Sequence, residues 1–289
     1  MSRQAITGWL LLLPAAALLA LFTHWPIVGT LWDSVHATPK GANPAPFVGL
    51  ENYQVMVADE VFWKSLWNNL WFALGTIPVS IALALAMALW VNSAMRGRTW
   101  LRVAFFTPTV LPMIAVANIW LFFFTPQYGL LEKLTTALGF ATHNWLGSES
   151  TALACVMIVA VWKEAGFFMI FYLAALQSIP PSLAEAAALE GAPRSWYLRR
   201  VVLPLLMPTT LFVLVNAVIN SFRLVDHIVV MTRGGPNNAT SLLLFHVYQV
   251  GFSFWDTGYA AALTVVLLAI LLAAAAGQFL FLDRKVHYQ

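Results

Sequence analysis

A lysine and a glutamate stand side by side, Lys163-Glu164, inside an apolar run from Thr151 to Leu176. Ionisable groups in such a run are costly to bury and are functional candidates by default. Adjacent residues on a helix point about 100° apart, so the two charges would face different partners. Further along, Asn216, Asn220 and Arg223 share one helical face by their spacings of four and three. Amides and a charge suit the hydroxyls of a polar cargo, and Phe167 and Phe168 could pack against the apolar face of a sugar ring. Lys163, Glu164, Phe167, Asn216, Asn220 and Arg223 are therefore the candidate substrate path. Plainer roles stay open beside it. The asparagines could bond a neighbouring helix, Lys163 could join a structural ion pair, and Arg223 could reach the outer headgroups. Asn118 and Trp120 read more simply as packing residues.

Catalytic chemistry finds little support. Ser221, Asp226 and His227 lie near one another in sequence, but spacings of five and one do not make a triad, which needs geometry. Gly147-Ser148-Glu149-Ser150 lacks the second glycine of a nucleophile elbow. No Gly-x-x-x-x-Gly-Lys-Ser/Thr loop is present to cradle phosphates, so the chain cannot hydrolyse ATP alone. The single cysteine, Cys155, leaves no internal disulfide or thiolate metal site and reads as a small packing residue. No metal or other cofactor is expected on this chain.

Composition says what must position these residues. The 289-residue chain is 61% hydrophobic and 9% charged, against roughly 25% charge in soluble domains. Such a chain must face lipid or other apolar helices. Lys and Arg are not clustered on one face, so nucleic acid is not a partner. A bilayer core needs roughly 20 apolar residues as helix. Six runs qualify: about 8–32, 64–92, 103–124, 151–176, 202–225 and 258–282. They predict an all-α membrane protein with six spans in one transmembrane domain over 1–289, since lipid-exposed backbone must satisfy its own hydrogen bonds. The first run resembles a signal peptide at Arg3 and Ala15-Ala16-Ala17, but it continues to Trp32 and reads as an uncleaved span.

With the N-terminus inside, inner segments hold Arg3, Arg96, Arg98, Arg102, Arg194, Arg199, Arg200, Arg284 and Lys285. Outer segments hold Lys40, Lys133 and Arg233, with Lys64 at a boundary. The bias predicts both termini on the cytoplasmic side. The outer connections are turn-rich, notably Pro39 to Pro46 and Arg233-Gly234-Gly235-Pro236-Asn237-Asn238. Trp63, Trp67 and Trp71 recur every four residues and suit an interfacial anchor.

The inner segment between the fourth and fifth runs behaves like a docking element. Ser182 and Glu185 have capping-box spacing, tandem prolines 180 and 181 precede them, and Gly191 and Pro193 stop the helix after about two turns. Ala184, Ala187, Ala188 and Gly191 form one small-residue stripe that a partner could approach closely.

This segment resembles a known signature. Glu185-Ala186-Ala187, three residues, Gly191, nine residues, then Val201 and Leu203-Pro204 is similar to the loop of bacterial ATP-binding-cassette importer permeases. Leu173 to Pro180 before it, Leu203 to Pro208 after it, Phe47 to Tyr53 and the ending Arg284 to Gln289 resemble the carbohydrate-uptake branch, of maltose and glycerol-3-phosphate type. The likeness covers nearly the whole chain.

The resemblance implies that the loop is a coupling helix seated in a cleft of a cytoplasmic ATPase. Glu185 would pair with a basic residue there, with Ala186, Ala187, Gly191, Leu203 and Pro204 completing the coupling surface. An aromatic often found seven residues after the glycine is Leu198 here, with Trp196 and Tyr197 nearby. The implied partners are a second permease, two ATPase subunits that bind ATP and Mg, an extracytoplasmic solute-binding protein and the bilayer of the bacterial inner membrane. The implied function is that of a non-catalytic subunit importing a sugar or sugar derivative. With Lys163 and Arg223 in the path, an anionic cargo such as a glycerol phosphate or a sulfonated sugar would also fit. The rival readings are a stand-alone secondary transporter and an intramembrane enzyme; neither needs a capped cytoplasmic loop.

Overall fold

The computed structural model describes residues 3–41, 44–93, 96–139 and 141–282. Among them the fold is all helix, with one isolated antiparallel bridge between His36 and Phe47. Helices α1 (Arg3–Leu19), α2 (Trp25–Asp33), α3 (Glu51–Ala58), α4 (Glu60–Asn92), α5 (Arg98–Val110), α6 (Met113–Phe124), α7 (Leu130–Ala137) and α8 (Ala152–Ser178) form the first part. The rest comprises α9 (Pro181–Leu189), α10 (Arg194–Tyr197), α11 (Leu203–Leu205), α12 (Met207–Arg223), α13 (Asp226–Met231), α14 (Leu243–Tyr248) and α15 (Thr257–Leu282). Five helical stretches are long and apolar enough to cross a bilayer: Thr7–Asp33, Glu60–Asn92, Ala152–Ser178, Met207–Met231 and Thr257–Gln278. They match five of the six expected runs. Arg284 and Lys285, which carry part of the expected orientation, lie outside the described residues with the rest of the ending to Gln289.

The third run, expected as one continuous span over 103–124, is instead a bent pair. Helices α5 and α6 meet at 101° across Leu111 and Pro112. The cause is local. A residue before proline is pushed out of the helical region, and Leu111 is extended at φ −72°, ψ 137°. Pro112 then opens α6 as its N-cap.

The described chain divides into two compact units, one of residues 1–63 with 246–270, the other of 64–245 with 271–289. The core of the larger unit is built where α4 brings Ala84, Ala88 and Val91 against Phe168, Met169 and Tyr172 of α8 and Val213 and Ala217 of α12. Small residues on α4 let large ones from its neighbours close the gap, the usual currency of packing within membranes. The opposite faces of α4 are sorted by chemistry. Trp63, Trp67 and Trp71 are each more than half exposed, as an interfacial stripe should be. Lys64, Ser65, Asn68 and Asn69 instead clasp the turn-rich segment after α13. Lys64 Nζ donates to the carbonyl of Asn237, Asn68 donates to those of Asn238 and Ser241, and Ser65 bonds the Ser241 hydroxyl. Asn69 donates to Ser221 O at 3.1 Å and accepts from Leu243 N–H at 3.1 Å. The left-handed backbone of Asn237 and Asn238 is held by this clasp.

In the smaller unit, the Phe47 to Tyr53 stretch has a clear physical role. Gly49 takes φ +58°, which needs no Cβ, and Asn52 donates to the carbonyls of Ser34 and His36, both at 2.9 Å. Tyr53 donates to Ser34 Oγ at 2.9 Å. Gly258 is equally forced: a Cβ there would lie 2.5 Å from His36 O.

Asp59 ties the unit together. Its Oδ2 accepts from Tyr259 Oη at 2.7 Å and His246 Nε2 at 3.0 Å, and its Oδ1 accepts from Val61 N–H at the start of α4, at 2.8 Å. Burial pushes the Asp59 carboxyl upward, but these donors outweigh it and hold the group below its usual range. Burial holds His246 below the ordinary 6.5, with Asp59 pulling the other way. Both groups are therefore depressed in the folded state. Below pH 6.5 the unfolded chain takes up the histidine proton first, so stability is present above that pH and lost as pH falls, with Asp59 adding to the loss further down. Thermal melts of the purified protein between pH 7.5 and pH 5 are expected to show a falling Tm, and His246→Phe should flatten that slope. A slope unchanged by the substitution would assign the acid sensitivity to other groups.

Candidate functional site

The break between α5 and α6 frees backbone carbonyls at the end of α5. In hydrocarbon each unsatisfied group costs several kcal/mol. Lys163 answers three of them. Its ammonium donates to Pro108 O at 3.0 Å, Thr109 O at 3.3 Å and Leu111 O. A lysine has three N–H bonds and no more, so this side chain is fully used as the C-terminal cap of α5. Its positive charge also meets the negative end of the α5 dipole. Gly166, one turn on, allows the approach, because a Cβ there would lie 2.1 Å from Phe105 O. The two helices therefore meet backbone to backbone. Lys163 is a helix cap in this structure, neither an ion-pair partner of Glu164 nor a free cation.

Glu164 faces elsewhere, as the 100° step requires. Its Oε2 accepts from Asn220 Nδ2 on α12 at 2.8 Å. Both residues line a small cavity of about 10 Å³, close to the room needed by one water. Thr76 and Ser80 of α4, Phe168 of α8 and Ser221 of α12 complete its polar and aromatic wall.

The expected path residues therefore separate. Glu164 and Asn220 come together. Phe168 lines the cavity, whereas Phe167 packs edge-on to Phe171 at 5.1 Å. Asn216 donates to Phe212 O on its own helix at 2.8 Å, and Arg223 is exposed at the C-terminal end of α12. Asn118 likewise bonds its own helix, and Trp120 stacks with Phe124. Thr76, Ser80 and Ser221 were missed. Their signal was present: hydroxyls four apart in the second run, and one beside Asn220.

The loop helix α9 forms where expected but starts differently. Pro180 is extended at φ −60°, ψ 131°, Pro181 takes the first helical position, and no side chain caps the N-terminus. The expected Ser182–Glu185 capping box is not made. The N-cap position falls on Pro180, which has no side-chain acceptor, and Ser182 lies inside the helix at its second position. The C-terminal stop is as expected: Gly191 has φ +70°, Gly191 N–H donates to Ala188 O and Ala192 N–H to Ala187 O, a Schellman pair.

Of the small-residue stripe only Ala187 is buried, whereas Ala184, Ala188 and Gly191 are exposed and open to a partner. Ala184, Ala187 and Ala188 line a groove of about 580 Å³ with Leu89, Leu176 and Tyr197. Ala187 is buried, and Leu198 packs on the main core. The outward face carries Glu185, Ala186, Leu189 and Glu190, all exposed. Leu189 is 91% exposed, and among the described residues Glu185 makes no side-chain hydrogen bond or ion pair. After α10 the chain widens into a π turn at Leu198–Val202 before Leu203 and Pro204 lead into α12.

Comparison with known proteins fits this arrangement. A model of the family described as "Binding-protein-dependent transport system inner membrane component" matches residues 54–287. The chain is 34% identical over 274 residues to the trehalose/maltose transport system permease protein MalF of Thermococcus litoralis, covering 94% of this chain and 92% of that one. It is 34% identical over 284 residues to the sn-glycerol-3-phosphate transport system permease protein UgpA of Yersinia enterocolitica, covering 97% and 95%. The sulfoquinovosyl glycerol transport system permease protein SmoG of Agrobacterium fabrum is 34% identical over 268 residues, covering 92% and 87%. In fold, the chain is similar to a bacterial ABC transporter involved in the import of the acidic polysaccharide alginate, with TM-score 0.88, 21% identity and coverage of 99% and 98%.

The cap at the break is open to direct test. Lys163→Met keeps the stem and removes all three donors, leaving Pro108, Thr109 and Leu111 without that partner. The purified protein is expected to lose on the order of 2–4 kcal/mol, read as a lower Tm, and Lys163→Arg should lose less than half as much. A Met variant as stable as wild type would show that other contacts hold the break.

Proposed function

The chain belongs to the family of binding-protein-dependent transport system inner membrane components, and from that membership we propose how its parts divide the work. It is the permease subunit of an ATP-driven importer and has no catalytic role of its own. The whole chain serves as one permease domain in the bacterial inner membrane, with both termini and α9 on the cytoplasmic side. A second permease completes the translocation path, two ATPase subunits bind ATP and Mg, and an extracytoplasmic binding protein delivers the cargo. That cargo is a sugar or sugar derivative, the class named for the trehalose/maltose and sulfoquinovosyl glycerol relatives. Within this chain the cargo passes the wall formed by Glu164, Asn220 and the nearby hydroxyls.

The observation that carries the coupling reading is the outward face of α9. A leucine 91% exposed at the end of a short helix is poorly placed for a lone protein and well placed as an anchor for a partner. Glu185, one turn earlier on the same face, supplies an unpaired carboxylate for a basic group of that partner. Ala187, the buried residue of the helix, holds it on its own permease, so a push on the outer face is received by an anchored element. Gly191 and Pro193 end the helix sharply, and Leu203 and Pro204 return the chain to the fifth span.

Leu189→Asp and Glu185→Gln are expected to reduce ATPase attachment on co-purification, and binding-protein-stimulated hydrolysis by tenfold or more when combined. The permease's own stability should change by less than about 0.5 kcal/mol, since both side chains are exposed. Full attachment and full stimulated hydrolysis in the double variant would place the coupling surface elsewhere.

A further inference from the structure

The wall around Glu164 has a one-sided chemistry. Among the described residues Glu164 is the only ionisable one lining the cavity. The sequence sets a lysine beside it, but the Lys163 ammonium is held by the carbonyls of Pro108, Thr109 and Leu111. Arg223 does not line the cavity, and among the described residues the only ion pair joins His246 and Asp59. Among the described residues no cation therefore lines the cavity beside the Glu164 carboxylate.

The hydroxyls reinforce this sign. Thr76 donates its proton to Phe72 O at 2.7 Å, and Ser221 donates to Val218 O at 2.8 Å. Each hydroxyl has one proton to give, so both leave lone pairs for anything in the cavity. Asn220 has already turned one amide N–H to Glu164. Its second N–H and the Ser80 hydroxyl are the remaining donors on the wall. A wall rich in acceptors and bearing an unpaired negative charge is matched by a ligand that brings donors. The hydroxyls of an uncharged sugar do that. A phosphate or sulfonate brings acceptors and a like charge, for which this wall has few donors and no cation.

We propose that Glu164 is a specificity-determining residue that makes this part of the path a charge filter, favouring uncharged polyhydroxy cargo and disfavouring anionic derivatives of the same sugar. The filter rests on the placement of the path proposed above, and it deepens that reading by naming the charge class admitted. It also runs against the expectation that Lys163 and Arg223 suit the path to an anion.

The test uses the full complex of permeases and ATPases in nanodiscs without binding protein, both nucleotide-free and with a non-hydrolysable ATP analogue. The probes are trehalose and trehalose 6-phosphate, which share a skeleton and differ in charge. Direct titration is expected to show trehalose binding at least tenfold more tightly than its phosphate in the state that admits ligand. Glu164→Gln should cut that ratio at least fivefold by improving phosphate binding, with trehalose affinity held within about threefold. Glu164→Asp should keep the ratio. Should the Gln variant fail to assemble, Asn220→Lys, which sets a cation beside the carboxylate, is expected to cut the ratio in the same direction. Phosphate bound as tightly as trehalose by wild type, or a ratio unmoved by either charge-altering variant, would overturn the filter alone. Failure of wild type to bind either sugar in both nucleotide states would overturn the filter and the placement of the path together.

Discussion

The structure depends on a rule that water never enforces: in hydrocarbon, every backbone carbonyl needs a donor from the protein. Pro112 breaks the third crossing because Leu111 cannot stay helical before it. The break leaves carbonyls at the C-terminal end of α5 without partners in their own helix. A neutral side chain could serve one or two. An ammonium serves three and also carries the charge that the helix end favours. Lys163 is thus stabilised by the break it stabilises. Removing the charge would strand the carbonyls, and a straight span would strand the charge. Gly166 is the steric counterpart, since the ammonium reaches the carbonyls only if α5 and α8 approach without an intervening Cβ.

From that junction the organisation of α8 follows. Over its 27 residues it caps α5 through Lys163, meets the cavity through Glu164, and bonds α12 through Tyr172 Oη to Thr210 Oγ1 at 3.1 Å. Its end at Ser178 is separated from α9 by only Ile179 and Pro180, both extended. Proline restricts this joint, so α9 is hung on α8 with little slack. The burial of Ala187 adds a second attachment. If α9 is the coupling helix, the element that receives force and the element that lines the path are one nearly continuous piece of chain. Leu189 and Glu185 then act at the end of a lever already fixed along its length.

Much of this was legible in the residues. Hydrophobic length gave five continuous spans because bilayer thickness sets a demand that composition either meets or fails. The Schellman stop at Gly191 was legible because few residues tolerate a left-handed backbone. The break at Leu111 was also written in the sequence, as Pro108 and Pro112 in one run, but hydropathy does not see it because proline and leucine both pass as apolar. The capping box failed for a related reason. Ser182 and Glu185 had the right spacing, but Pro181 claimed the first helical position one residue earlier. The facing of the alanine stripe could not be read from periodicity. Periodicity shows that residues share a face, not whether that face meets a partner or the same chain. Span four hid its roles similarly, because which face of α8 met α5 and which met α12 depended on tertiary packing.

The adjacent pair Lys163-Glu164 shows why charge cannot be summed along a membrane helix. Read as a string, the pair is neutral, and a neutral pair predicts no field in the path. On the helix the two side chains diverge by about 100°. One enters the carbonyl-rich end of α5, where backbone dipoles answer its charge. The other meets a cavity with amide and hydroxyl neighbours, where among the described residues no cation lines the wall. In a low-dielectric interior, compensation is a matter of a few ångströms and of direction. The capping ammonium and the cavity carboxylate therefore serve separate neighbours, even though one peptide bond links them. Exchanging the two residues would keep composition, net charge and hydropathy unchanged. It would place a carboxylate against three carbonyls that need donors and an ammonium against a wall of acceptors. The order of the two residues, rather than their presence, fixes both the fold at the break and the sign of the field in the cavity.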